Sequence, residues 1–293
     1  MKLKSAFGLL KRAFSGWQKD RVSLLAAALA YYTVLSIAPL IVIAIAIAGS
    51  VFGAEAAQGE IVNTLGGLIG TQGAQVVESV VRNAAQPELN STASIFGVIA
   101  LLISASGLFV HLQIALNIVW NVKAKKNRNL WQVLRKRLLS FGMVVAIGFL
   151  LLISLLVSTA ISTLSQLEME FIPNIPSLWQ WADALISLGI VILLFALIYK
   201  YLPDVDLGWK NVWIGAMITA ALFILGKYLL GFYISRSSIG SAYGAAGSLV
   251  VMLVWIFYST QILLFGAELT QAYTCRHSHQ VRPSRHATMA DKS

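Results

Sequence analysis

The stretch VSLLAAALAYYTVLSIAPLIVIAIAIAGSVF, residues 22–52, contains no charged side chain and no histidine. A hydrocarbon core about 30 Å thick requires about 20 apolar residues in a helix, so this stretch is long enough to cross a bilayer. The triplet Ala54–Ala56 after it resembles a signal-peptidase site, but the stretch is far longer than the roughly 7 to 15 residues of a signal-peptide core. We therefore interpret residues 22–52 as a retained transmembrane helix.

Five further apolar stretches meet or approach the spanning length. With the first, they cover residues 22–52, 94–120, 138–164, 184–202, 211–234 and 248–272. The 293 residues are 58% hydrophobic and 12% charged, with a mean hydropathy of +0.76, which is too apolar for a single soluble core. The sequence therefore predicts an all-α fold, a polytopic transmembrane helical bundle of about six spans.

The lysines and arginines lie mainly on one side of the predicted bundle. They concentrate before the first span, in the loop at 121–137, beside the fourth and fifth spans and in the tail, whereas the other side holds only Arg82 and Arg236. Because basic residues resist translocation, this predicts that both termini are cytoplasmic. In a soluble protein, a net charge of +10 would suggest binding to nucleic acid. Here the basic residues lie between apolar stretches and indicate the membrane topology, so no nucleic-acid partner is expected.

Three regions follow from these assignments. Residues 1–21 form a cytoplasmic amphipathic segment, and residues 22–272 form the six-span domain, with an outer loop at 53–93 and an inner loop at 121–137. The basic tail, residues 273–293, is expected to be disordered.

Apolar side chains before the first span recur at helical spacing. They are Leu3, Phe7, Leu10, Phe14 and Trp17. This pattern predicts an interfacial helix on the cytoplasmic leaflet, attracted by anionic lipid headgroups. A calmodulin-target or nucleic-acid-binding helix is a less favoured alternative beside a span.

Two ionisable side chains fall within predicted spans, Lys227 in the fifth and Glu268 in the sixth. Helical rise places Lys227 near the outer face and Glu268 near the inner face, so we do not expect them to pair. The expected local partners are Asp183, Glu168 or Glu170 for Lys227, and Arg135, Arg137 or Arg21 for Glu268. Either the two residues serve transport, or Lys227 extends to the headgroups while Glu268 joins helices.

Other polar side chains also occur at membrane depth, which suggests a polar cavity between spans one, two and six that opens inward. The candidate transport residues are Tyr31, Tyr32, Ser36, Pro39, His111, Gln113, Asn117, Lys227, Tyr243, Tyr258, Gln261 and Glu268. Hydrogen bonds between helices, at about 0.6 kcal/mol each, would explain the same residues without a cavity.

Several short motifs are typical of one family. They are Leu29-Ala30-Tyr31-Tyr32, Leu35-Ser36-x-Ala38-Pro39, Ala115-Leu116-Asn117 with Trp120, Tyr201-Leu202-Pro203, Gly215-Ala216, Tyr243-Gly244-Ala245, Trp255 and Gly266-Ala267-Glu268. Through them, the sequence from about Gly16 to Ala272 resembles the YihY/virulence factor BrkB family of bacterial inner-membrane proteins. The resemblance implies a six-span inner-membrane protein, but it implies no shared reaction and no catalytic residues.

The label ribonuclease BN, sometimes attached to that family, can be tested against chemistry. Metal-dependent RNA hydrolysis needs clustered His, Asp or Glu ligands, but three of the four histidines lie in the tail, His111 lies within a span, and cytoplasmic acids are sparse. The chain has no P-loop, no G-x-G-x-x-G and no HExxH motif. The single cysteine, Cys275, excludes an internal disulfide. We therefore expect no enzyme, no metal site and no cofactor.

Two functions from different classes fit the sequence. The preferred hypothesis is a transporter or flippase-like protein of the bacterial envelope that handles a lipid, an amphiphile or a small solute. The alternative is a scaffold or assembly factor that moves nothing. Homo-oligomerisation is compatible with both.

Overall fold

A computed structural model describes residues 3–53, 59, 107–125, 142, 176–236, 247–277, 282–284 and 287–290. These residues form helices and four short strands, in the following order along the chain. The elements are α1 Leu3–Lys19, α2 Val22–Phe52, α3 Gly107–Val119, β1 Val122–Ala124, α4 Pro176–Tyr201, β2 Val205–Asp206, α5 Trp209–Arg236, α6 Gly247–His277, β3 Arg282–Pro283 and β4 Ala287–Met289. The predicted span at 138–164, apart from residue 142, and the outer loop, apart from residues 53 and 59, lie outside the described residues.

The all-α membrane bundle predicted from composition is confirmed. Within the described part of the chain, three helices are long and apolar enough to cross a membrane, namely Ala184–Tyr201, Trp209–Tyr233 and Leu249–Arg276. The helical residues Val22–Ser36 and Gly107–Val119 are shorter apolar segments. Helix α2 continues through Pro39 to Phe52.

Helix α6 is the centre of the described bundle, because α1, α2 and α5 all pack against it, and α4 packs against α5. Small residues allow the close approach that association in lipid requires. A Cβ atom on Gly215 would overlap Thr270, and one on Gly226 would overlap Tyr258. These contacts run in opposite order along α5 and α6, so the two helices are antiparallel.

Helix α1 has two distinct surfaces. Leu9 and Ala13 are buried, whereas Phe7, Leu10 and Phe14 are 73%, 50% and 52% exposed. The apolar stripe predicted from the spacing therefore contains three side chains that remain outside the protein core. A neighbouring face of the same helix packs against α6, and the sequence pattern does not show this second contact.

The tail residues that the structure describes form the end of a helix and two short strands, whereas the sequence predicts a disordered tail. Helix α6 continues to His277, and β3 and β4 pair antiparallel with β2 and β1. The N–H of Ser284 donates to the carbonyl of Asp204 at 2.9 Å, and the N–H of Ala290 donates to the carbonyl of Asn121 at 2.8 Å. These bonds to two distant loops supply an order that composition alone does not reveal.

Candidate functional site

Two candidate residues of α3 bind one buried carboxylate in the loop after α4. Gln113 and Asn117 donate side-chain hydrogen bonds to the two carboxylate oxygens of Asp204, at 3.2 and 3.0 Å. The backbone N–H of Asp204 donates to Oδ1 of Asn117 at 2.8 Å. Residues four apart lie on the same face of a helix, which explains why both amides reach one carboxylate. The pair therefore joins α3 to this loop.

Gln261 of α6 binds both N-terminal helices. Its Oε1 accepts a hydrogen bond from Nε1 of Trp17 in α1 at 2.9 Å, and its Nε2 donates to Oγ of Ser23 in α2 at 3.0 Å. Both functions of the side-chain amide are therefore satisfied within the protein. Trp17, which the sequence assigns to a membrane-facing stripe, contributes its indole to a contact between helices.

Glu268 lies two turns further along α6 and is only 1% exposed. Its carboxyl group lies against Gly16, where a Cβ atom would overlap Oε2, and it shares a hydrogen bond with the carboxyl group of Asp20. Among the described residues, none is a hydrogen-bond partner of Oε1 of Glu268. Because a carboxylate has no hydrogen to donate, a hydrogen bond between two carboxyl groups requires one proton.

The contact with Asp20 differs from the basic partner that the sequence predicts for Glu268. Arg21 is exposed, and Arg135 and Arg137 lie outside the described residues. The backbone of Arg21 is left-handed, with φ of 50°, so the turn between α1 and α2 places Asp20 beside α6. Burial raises the pKa of Asp20, although the hydrogen bond from Glu268 and the charge of Lys19 partly oppose this shift.

The aromatic candidates lie between α2 and α3. The rings of Tyr32 and His111 are stacked, with centroids 3.5 Å apart and planes 9° apart, and Tyr31 contacts Tyr32 edge-on at 5.6 Å. Ser36 is buried near Gly107, where a Cβ atom would lie 3.9 Å from its Oγ. These residues form a second polar and aromatic group.

The remaining candidates lie elsewhere or outside the described residues. Lys227 is exposed on α5, next to Gly226, which contacts Tyr258. Tyr258 precedes Glu268 by a helical rise of about 15 Å, so Lys227 and Glu268 lie at different depths, as their positions in the sequence predict. Tyr243 and the side chain of Pro39 lie outside the described residues, as do the side chains of the acids expected beside Lys227.

The sequence did not predict that Asp204 binds Gln113 and Asn117, or that Asp20 contacts Glu268. Asp20 lies between two apolar helical patterns, so it reads as a solvated connector. Asp204 follows the motif Tyr201-Leu202-Pro203, which marks the end of a span but does not indicate burial. The useful signal is that each acid lies within three residues of a helix end, where a neighbouring helix can supply donors.

Among histidines and cysteine, the structure describes the side chains of His111 and Cys275. His111 stacks on Tyr32, and Cys275 is exposed near the end of α6. The described residues contain no group of three or more His, Cys, Asp or Glu side chains that could hold a metal ion.

Long apolar helices joined by buried polar contacts define a polytopic α-helical membrane protein. The chain belongs to the Virulence factor BrkB family, whose family model matches residues 13–291, and the resemblance inferred from the motifs is confirmed. UPF0761 membrane proteins of Psychrobacter sp. (strain PRwf-1), Pseudoalteromonas translucida and Vibrio campbellii are 28%, 30% and 31% identical to it. These matches cover 94%, 86% and 86% of this chain and 50%, 81% and 78% of the relatives.

Some relatives are considerably longer than this chain. It spans 50%, 66% and 59% of the UPF0761 membrane proteins of Psychrobacter, Acinetobacter baylyi and Verminephrobacter eiseniae. No solved structure matches the chain.

Proposed function

We propose that this protein is a non-enzymatic transporter or flippase-like protein of the bacterial inner membrane, with both termini in the cytoplasm. Its cargo is a lipid or another amphiphile with an anionic headgroup. The observation that carries the proposal is the surface of α1, which exposes apolar and basic side chains together while its other face contacts the central helix α6.

The exposed side chains of α1 suit the boundary between headgroups and acyl chains. Phe7, Leu10 and Phe14 form the apolar part, and Lys11, Arg12 and Lys19 are exposed on the same helix. An amphipathic helix of this kind binds a membrane through buried apolar area and attraction to anionic lipid. In the proposed function, α1 gathers anionic headgroups beside the bundle.

The side chains at the start of α5 support the proposal that this end of the bundle faces the cytoplasm. Trp209 and Trp213 are exposed, and the ammonium group of Lys200 lies 5.7 Å from the centroid of the Trp209 ring. Tryptophan and lysine are typical of the interface between membrane and water. The predicted cytoplasmic end of the bundle therefore combines aromatic and basic side chains, which suits an anionic headgroup.

A scaffold that moves nothing is the second candidate, and one observation favours it. Gln113, Asn117 and Gln261 all make hydrogen bonds to other protein groups. Contacts between helices and loops are sufficient to explain these three residues without a cargo. These three candidates for a transport path therefore fit a scaffold as well as a transporter.

The two functions can be separated with purified protein in liposomes that contain fluorescent phosphatidylglycerol. We expect the wild-type protein to move this lipid between leaflets and to retain it in native mass spectrometry. Replacing Lys11, Arg12 and Lys19 with glutamine should weaken binding by about 100-fold, since each basic residue near the surface contributes about 1 kcal/mol.

The matched control is Lys123→Gln, which removes an exposed lysine outside α1 and should leave binding and transfer unchanged. Folded wild-type protein that neither binds nor transfers the lipid would overturn the proposal and favour the scaffold.

A further inference from the structure

Helix α1 interacts with α6 at three levels, in antiparallel order. The charge of Arg12 acts on Cys275, Gly16 contacts Glu268, and Trp17 bonds to Gln261. The middle contact is the closest, because there is no space for even a methyl group between Gly16 and the carboxyl group. As long as α1 remains in place, it closes this side of Glu268.

The carboxyl group of Glu268 is enclosed but incompletely bonded. It is 1% exposed, it shares a hydrogen bond with Asp20, and Oε1 has no hydrogen-bond partner among the residues described. Two buried carboxylates in contact disfavour each other's charge. A bound proton removes one of the charges and supplies the hydrogen of the shared bond.

In the part of the chain that the structure describes, few ionisable groups surround this pair. Asp20 is the described residue whose charge acts on Glu268, Lys19 acts on Asp20, and Arg12 acts on Cys275. The ionisable side chains of α2 are two tyrosines, Tyr31 and Tyr32, that of α3 is His111, and α5 has none between residues 211 and 226. On α6 itself, Tyr258 precedes Glu268, and Tyr273, Cys275, Arg276 and His277 follow it.

We propose that Asp20 and Glu268 form a binding site for one proton, and that loss of this proton separates α1 from α6. The turn between α1 and α2 is short, and Arg21 within it has a left-handed backbone, so movement about this turn carries α1 away as a unit. Water then reaches both carboxylates. This proton site does not require the lipid cargo proposed above.

The direction of the pH dependence follows from proton linkage. The pKa of Asp20 is raised, chiefly by burial, so the docked state of α1 binds more protons than the undocked state. Docking is therefore favoured below the ordinary pKa of the carboxyl group and is lost as pH rises through the raised pKa. Release of one proton on undocking lowers the docking constant by up to about tenfold for each pH unit.

The experiment measures the position of α1 by spin-label distances in the full-length chain. Labels are placed at Ser15→Cys and Met217→Cys, both exposed positions, in a Cys275→Ser background within phosphatidylcholine nanodiscs. The pH is varied from about 5 to about 9, in sodium and in potassium buffers. We expect one narrow distance at low pH and a second, longer population that grows as pH rises, equally in both salts.

Two variants test the site itself. Glu268→Gln and Asp20→Asn should each change the pH at which the longer distance appears, because each removes one of the two carboxyl groups that share the proton, while burial still disfavours the charge of the other. Asp20 lies outside the apolar spans, so its variant keeps the test valid if Glu268→Gln fails to fold. A wild-type distance that does not change with pH, an unchanged pH dependence in the folded variants, or a dependence on sodium would each overturn the proposal.

Discussion

Asp204 illustrates how one buried carboxylate joins three segments of the chain. Its side chain accepts hydrogen bonds from Gln113 and Asn117 in α3, and its carbonyl accepts one from the N–H of Ser284 in the tail. A buried carboxylate is stable only when such donors replace water. The donors were predicted to line a transport path, and their geometry equally suits a joint between α3, the loop after α4 and the tail.

Replacing Asp204 with asparagine should lower the free energy of unfolding by about 1–3 kcal/mol. The new amide group would direct a donor toward Gln113 or Asn117, which are themselves donors. Asp206→Asn is the matched control, because Asp206 is exposed, and its effect should stay below about 1 kcal/mol. Thermal unfolding in detergent measures both, and equal losses would contradict the assigned role of Asp204.

At the scale of the helices, α4, α5 and α6 meet at a layer of hydroxyl groups. The hydroxyl of Tyr199 donates to the carbonyl of Leu263 at 2.7 Å and lies 3.0 Å from Oγ1 of Thr219. Gly266 leaves the space that both side chains occupy. The contact therefore depends on a glycine in the middle of an apolar helix, where alanine would otherwise be the better helix former.

Gly266→Ala should lower the free energy of unfolding by about 1–3 kcal/mol, because the new methyl group overlaps Tyr199 and Thr219. Gly231→Ala in α5 is the control, since no neighbouring atom lies within 4 Å of the position that its new methyl group would occupy. It should be neutral or stabilising by up to about 1 kcal/mol. Denaturation in detergent compares them, and the idea fails if the two variants behave alike.

The pairing of the tail strands with β1 and β2 should protect the loops that contain β1 and β2 from proteolysis. Removing residues 282–293 takes away the partners of β1 and β2, so the backbone at Lys123 and Lys125 should become more accessible to a protease. Limited trypsin digestion should cut there several times faster than in the full chain. Substitution of the exposed Thr288 and Met289 with alanine keeps the backbone pairing and serves as control. Cleavage at an unchanged rate would show that the strands do not protect the loop.

Over the whole molecule, exposed aromatic side chains mark two levels on α5. Trp209 and Trp213 lie at its start, and Tyr228, Phe232 and Tyr233 lie near its end. The helical rise from Trp209 to Tyr228 is about 28 Å, close to the thickness of a hydrocarbon core. The guanidinium group of Arg236 lies 4.2 Å from the ring centroid of Phe232. Both ends of α5 thus have the residues typical of membrane interfaces.

The proposed orientation predicts which side of the membrane each end faces. In a Cys275→Ser background, an impermeant maleimide should label Arg236→Cys in intact cells. Lys123→Cys, which is also exposed, should react only after the membrane is made permeable. Labelling in the opposite order would overturn the orientation derived from the basic residues, and it would leave the fold unaffected.

The sequence by itself determined where the described helices that could cross the membrane lie, that the fold is all-α, and which family the chain belongs to. The predicted span at 184–202 matches the apolar segment Ala184–Tyr201 closely. Such features are local, because the hydrophobic effect and helical periodicity act on neighbouring residues.

Only the tertiary structure decided which polar groups meet. Asp20 and Glu268 lie at opposite ends of the sequence, as do Trp17 and Gln261, which are 244 positions apart. The order of the tail likewise comes from pairing with β1 and β2. These contacts arise because helix packing brings distant side chains together in a medium that offers no water, and no local pattern encodes that proximity.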